Sequence, residues 1–121
     1  MYMSTPVHML INTPARQQAT VLGEDSIVEL ADLFRIMGDG SRLRIMLSCL
    51  GEPVCVGDIA QQLGLANSLV SHHLRLLRAA RVIRAQRRGK HVFYSVTDKR
   101  IRCVLFDMVD HVAEYPDDEG L

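Results

Sequence analysis

The segment Asn67-Ser-Leu-Val-Ser-His-His-Leu-Arg-Leu-Leu-Arg-Ala-Ala80 constrains this chain most, because its residues sort onto two helical faces of opposite character. Leu69, Val70, His73, Leu74, Leu77 and Ala80 recur at helical spacing and form a face to be buried. Ser68, Ser71, His72, Arg75 and Arg78 form an opposing polar stripe with cations toward its far end. One face builds a core, and the other can meet something anionic. Directly downstream, Val82 to Val96 reads as two short strands around a basic turn at Arg88-Gly89, with Val92, Tyr94 and Val96 alternating on one face. A helix of this kind followed by a basic hairpin predicts a winged helix.

The rest of the chain supplies what such a unit needs. Ile27, Leu30, Ala31, Phe34 and Met37 fall on one helical stripe, with Ser26 as its expected cap. Gly38-Asp39-Gly40 breaks that helix, and Ser41 begins another through Ile45, Met46 and Leu50. Val54 to Leu63 then carries Val56, Ile59, Ala60 and Leu63 at helical spacing and is stopped by Gly64. Two helices joined by a tight glycine-containing turn make a helix-turn-helix, whose second helix protrudes to enter a groove. A last helix is expected from about Asp98 to Glu114, ended by Pro116. The division is residues 1–23 as an N-terminal arm, 24–116 as a winged helix-turn-helix DNA-binding and dimerisation domain, and 117–121 as a tail. The fold class is mainly α with a β-hairpin wing, dimeric through the terminal helices.

Formal net charge over the 121 residues is zero, so bulk charge does not announce a polyanionic partner. Its distribution does. From Arg75 to Arg102 ten lysines and arginines stand against the single acid Asp98. Phosphate responds to the local field within a Debye length rather than to the chain's sum. Double-stranded operator DNA is the partner this pattern predicts. Ser68, Ser71, His72 and Arg75 are assigned to the major groove, with Arg78, Arg87, Arg88 and Lys90 as the accompanying cations.

The terminal helix carries Ile101, Val104, Leu105, Phe106, Met108, Val109, Val112 and Ala113, apolar over too much of its circumference to pack on its own domain alone. A second copy of the same helix covers the remainder most simply, so a homodimer is expected. It would set two reading helices about one duplex turn apart. The chain shows no apolar run of membrane length, and Met1 to Leu22 lacks a basic head followed by a continuous apolar segment. A cytoplasmic protein without a membrane partner is expected. The odd, widely spaced set Cys49, Cys55 and Cys103 argues against a disulfide framework.

Leu33 to Met46, Val54-Cys-Val-Gly-Asp-Ile-Ala60, Ser68 to Arg78 and Arg88-Gly-Lys-His-Val-Phe-Tyr94, in this order and spacing, resemble the ArsR/SmtB family of winged-helix repressors. That resemblance implies dimers that release DNA when a metal ion or other small effector binds. Gly40 stands where the family usually has a proline.

The resemblance implies two candidate effector sites, each for a zinc-type divalent ion. The first is Asp98, His111 and Glu114 on the terminal helix. Asp98 and His111 lie thirteen residues apart, roughly 20 Å along a helix, so the set closes only between two antiparallel copies. Arg100 occupies the position of a further family ligand; a guanidinium cannot ligate and can instead ion-pair with Asp98 or Glu114. The second is Cys55 and Asp58, completed by His8 of the arm; here Gly57 replaces the second thiol of the family's thiol-rich form. Cys55 and Asp58 are equally readable as a small core residue and a solvated helix residue. Cys49 reads as packing. Cys55 and Cys103 form a further candidate, a thiol pair sensing soft metalloids or reactive sulfur and oxygen species.

Catalysis is not expected. Ser71 and His72, adjacent on a helix, diverge by about 100° and make no nucleophile and base pair, and no phosphate loop, dinucleotide fingerprint or metalloprotease helix occurs. A dimeric interaction module that does not bind DNA is the main rival reading.

Overall fold

The computed structural model describes residues 22–114; the arm with His8, Pro116 and the acidic tail lie outside them. The described chain falls into two units, one ending at Phe34 and one beginning at Arg35. Helix α1 (Glu24–Met37) starts two residues before the expected cap Ser26, because the Ile27 N–H already finds the Gly23 carbonyl at 3.1 Å. Glu24 and Asp25 in its first turn suit the positive end of the helix dipole. Within the first unit, Ile27, Leu30 and Phe34 of the expected stripe are exposed.

In the second unit, α2 (Gly40–Ser48) is capped by Asp39 rather than begun at Ser41: the Asp39 carboxylate accepts the Arg42 N–H at 3.0 Å. That bond holds the Asp39 carboxyl below its ordinary pKa. The helix ends at Ser48, short of the expected Leu50, where the Cys49 N–H turns back to the Met46 carbonyl. Cys49 is fully buried, and burial raises its thiol pKa to about 11, which fits the packing role expected of it.

The expected helix over Val54–Leu63 is divided. Val54–Cys55 form a two-residue strand β1 and only Val56–Leu63 form helix α3. Gly64, at φ +68°, ends α3 in the left-handed region, and helix α4 (Asn67–Ala79) follows within three residues. At the far end of α4 the Val82 N–H reaches the Leu77 carbonyl at 3.1 Å and the Arg81 N–H reaches the Arg78 carbonyl at 2.9 Å. This is a Schellman closure, with Arg81 at φ +65° where glycine is usual.

Strands β2 (Ile83–Arg88) and β3 (His91–Val96) form the hairpin, and β1 adds to the other edge of β3, giving an antiparallel sheet of order β1-β3-β2. The turn is Gly89-Lys90, one residue later than expected, with Gly89 at φ +63°. Pairing of Arg87 with Val92, Ala85 with Tyr94 and Ile83 with Val96 puts these side chains on one face, and Arg88, His91 and Phe93 on the other. Helix α5 (Lys99–Glu114) begins one residue after Asp98, whose carboxylate accepts the Ile101 N–H at 3.0 Å as a cap. Arg102 donates to the Leu50 carbonyl and so ties the first turn of α5 to the segment just after α2.

The core lies among α2, α3, α4 and the base of the hairpin: Ile45, Met46, Ile59, Val70, Leu74, Leu77, Val82 and Val96 are almost wholly enclosed. The buried face of α4 is narrower than its spacing predicts. Leu69, in the first turn of α4 and at the edge of the stripe, is 40% exposed.

Candidate nucleic-acid interface

The expected DNA-contacting side chains all occupy the solvent side of α4 and the hairpin. Ser68, His72, Arg75 and Arg78 are exposed and Ser71 half-buried on α4, and Arg87, Arg88 and Lys90 are exposed at the hairpin tip. No acid interrupts either segment. Near the tip the Arg88 guanidinium lies over the Phe93 ring, 5.3 Å from its centre, and the His91 ring meets the edge of Phe93 at 6.4 Å. An aromatic face attracts the cation and so favours this placement of Arg88.

Beneath this surface α4 is anchored by a polar link. The Arg42 guanidinium donates to the Ile36 carbonyl at 2.7 Å and stands 3.5 Å from Nδ1 of His73. His73 is buried, as its place on the apolar face implies, and burial lowers its pKa against the smaller opposing pull of Asp39.

Between α4 and β3 lies a cleft of about 460 Å³ lined by Ser71, Leu74, Arg75, Arg78, Ala79 and Tyr94. Alternation along β3 places Tyr94 with Val92 and Val96 as a packing residue; that it also reaches the basic edge of α4 depends on how helix and hairpin pack, which spacing does not reveal.

The candidate effector residues are divided among elements. Cys55 and Asp58 do come together: the Cys55 thiol donates to Asp58 Oδ2 at 3.4 Å, at the exposed start of α3. His8, their expected third partner, lies outside the described residues. Asp98 is engaged through both oxygens, Oδ1 by the Ile101 N–H and Oδ2 by Arg100 at 3.3 Å. These bonds, the helix N–H first, hold its carboxyl below the ordinary range. His111 and Glu114 are exposed in the last turn of α5. Among the described residues of a single chain, no three His, Cys, Asp or Glu side chains cluster as a metal site. Cys103 is exposed on α5.

Residues 39–85 match the model for bacterial regulatory proteins of the arsR family. The chain is 34% identical over 97 residues to a transcriptional repressor SmtB homolog from Synechocystis sp., covering 80% of this chain and 74% of that protein. It is 32% identical to a cadmium resistance transcriptional regulatory protein CadC homolog from Staphylococcus aureus, covering 67% of this chain and 68% of the other. Among solved structures, the fold matches the homodimeric winged helix-turn-helix DNA-binding domain of a possible ArsR-family regulator from Mycobacterium bovis. That match has a TM-score of 0.69 at 19% identity and covers 78% of this chain and 90% of the other. With this similarity spanning most of its length and a winged helix-turn-helix built around α4, the chain belongs to the arsR family of bacterial DNA-binding transcriptional regulators.

Proposed function

We propose that the protein is a homodimeric cytoplasmic repressor that holds operator DNA through α4 and the wing and releases it when a zinc-type divalent ion binds. The continuous acid-free surface from Ser68 to Lys90 carries the DNA half of this reading. Ser68, Ser71, His72 and Arg75 reach base edges in the major groove, while Arg78, Arg87, Arg88 and Lys90 hold phosphate. Dimerisation draws support from α5, where Val104, Phe106, Met108, Val109 and Val112 are exposed, and from the homodimeric relative in fold.

For the control half, the two candidate ligand sets fit an ion unequally. Asp98 already serves as helix cap and as partner of a guanidinium that would repel a cation, so the terminal-helix set is a poor fit. Cys55 and Asp58 present a thiol and a carboxylate within contact distance at an exposed edge, a donor pair suited to zinc or cadmium. We assign regulation to this pair, with His8 of the arm as the further ligand. Binding would exchange the thiol proton for the ion. The relatives named for repression and for cadmium resistance agree with such control.

The test is fluorescence anisotropy on operator DNA, titrated with zinc, nickel, cadmium, lead and arsenite under reductant. One of the divalent ions should release wild-type protein. Cys55→Ser should abolish that release while leaving ion-free affinity intact, and His111→Ala should preserve it. The opposite pair of results would move the site to α5. Release by none of these, with peroxide or polysulfide acting through Cys55 and Cys103, would replace metal control by thiol chemistry.

A further inference from the structure

We infer that the cleft between α4 and β3 is a seat for one backbone phosphate of duplex DNA, in which the Tyr94 hydroxyl is an uncharged donor working beside Arg78 and Arg75. The inference rests on the duplex-binding reading above and adds to it a residue and a division of labour.

The lining of the cleft has a consistent chemistry. It offers two guanidiniums and two hydroxyls and contains no carboxylate. Among the described residues neither Arg75 nor Arg78 has an ion-pair partner, so both cations remain uncompensated. The spacing explains why they share the cleft: Ser71, Arg75 and Arg78 stand at i, i+4 and i+7 and line one edge of α4. Tyr94 faces that edge because its register partner is Ala85, on the sheet face that also carries buried Ile83 and Val96. Further out on the same face, one pair nearer the wing tip, comes Arg87, a further cation.

A tetrahedral monoanion bearing two free oxygens matches such a donor set, since guanidinium groups and hydroxyls bind phosphate oxygens without reading sequence. Ser68 and His72 lie on the opposite side of Arg75 around the helix. They are thereby left to the base edges, with Ser71 and Arg75 at the boundary between the two tasks.

A phosphate seat is blind to sequence, so the test needs no operator. Affinity of the full chain for a mixed-sequence 30-base-pair duplex is measured by anisotropy across a salt series for wild type, Tyr94→Phe and Arg78→Ala. Tyr94→Phe removes one hydroxyl and keeps the ring. It should weaken binding about tenfold for every duplex tried, at unchanged melting temperature. Its salt slope should match wild type because no charge is lost, whereas Arg78→Ala should flatten the slope by about 0.9. Wild-type affinity for Tyr94→Phe would overturn the seat, as would a loss confined to one sequence or one accompanied by a lower melting temperature. If wild type itself bound no duplex at low salt, the duplex-binding reading would fall and the seat with it. Binding by wild type that Tyr94→Phe leaves unaltered would sink the seat alone.

Discussion

His73 shows how a residue on the reading helix can serve the fold instead of the ligand. Its neighbour His72 is exposed, yet one step of about 100° turns His73 inward, where its Nδ1 meets Arg42 and Asp39 and His72 are the other charged or titratable groups acting on it. Burial holds its pKa below the ordinary value of 6.5. The neutral imidazole is the form the folded protein prefers. The stability this contributes is therefore complete above the unfolded value near 6.5 and is lost as pH falls through the lower folded value. Melting temperatures measured from pH 7.5 down to 5 should drop in wild type and drop less in His73→Gln, which has no proton to take up. Equal drops would mean that His73 titrates as it would in water. A change at Arg42 should act through the same contact: Arg42→Met removes both the bond to the Ile36 carbonyl and the cation beside His73, and should raise the His73 pKa observed by NMR.

The helices were legible in the sequence where one apolar stripe met one obvious stop, and each departure has an identifiable cause, local or long-range. Val56, Ile59, Ala60 and Leu63 announce α3 correctly, but Val54 and Cys55 become strand only because β3 arrives from forty residues away to pair with them. No local signal carries that. Gly38-Asp39-Gly40 reads as a break, and the same Asp39 is also the cap, which the competing Ser41 obscures. The wing turn slips by one residue because Arg88 pairs with His91 and leaves Gly89-Lys90 as the loop. Gly64 reads as a stop, and its φ of +68° supplies the reason. A Cβ there would meet nothing within 4 Å, so the cost of adding one is conformational alone. Gly64→Ala should destabilise the protein by about 1 kcal/mol in urea unfolding, and Gly64→Asn by less, since asparagine tolerates this region. Equal stability of all three would show that the turn between α3 and α4 relaxes freely.

The interface was legible to a different degree than its control. Ser68 through Lys90 stand out by spacing and charge because the surface proposed to meet phosphates lies along two adjacent elements, and the structure puts those side chains on their solvent side. Cys55 and Asp58 were legible as a pair at i,i+3, but a site completed by residues from an arm or from a second chain is not contained in one chain's periodicity. The same limit applies to assembly. Helix α5 buries Leu105 and exposes Val104, Met108, Val109 and Val112, and α2 and α5 leave between them a groove of about 390 Å³ lined by Leu43, Leu47, Leu105, Met108, Val109 and Val112. Val112→Glu places a charge on that seam. It should shift sedimentation from dimer to monomer and weaken operator binding at least tenfold, with little change in far-ultraviolet circular dichroism. An unshifted dimer would remove Val112 from the interface.

Strand β1 has only two residues, and one of them, Cys55, lies opposite Phe93, the ring that holds Arg88 in place. An ion held by that thiol, as proposed above, would have a path to the wing through a single rung of the ladder. Thermodynamic linkage makes that route run both ways: whatever factor the ion takes from DNA affinity, DNA must take from ion affinity. A protomer seated on its operator would be the less sensitive detector, and the free pool of protein the more sensitive one. The concentration at which the cell's ion is sensed would then depend on how much of the protein the chromosome already holds.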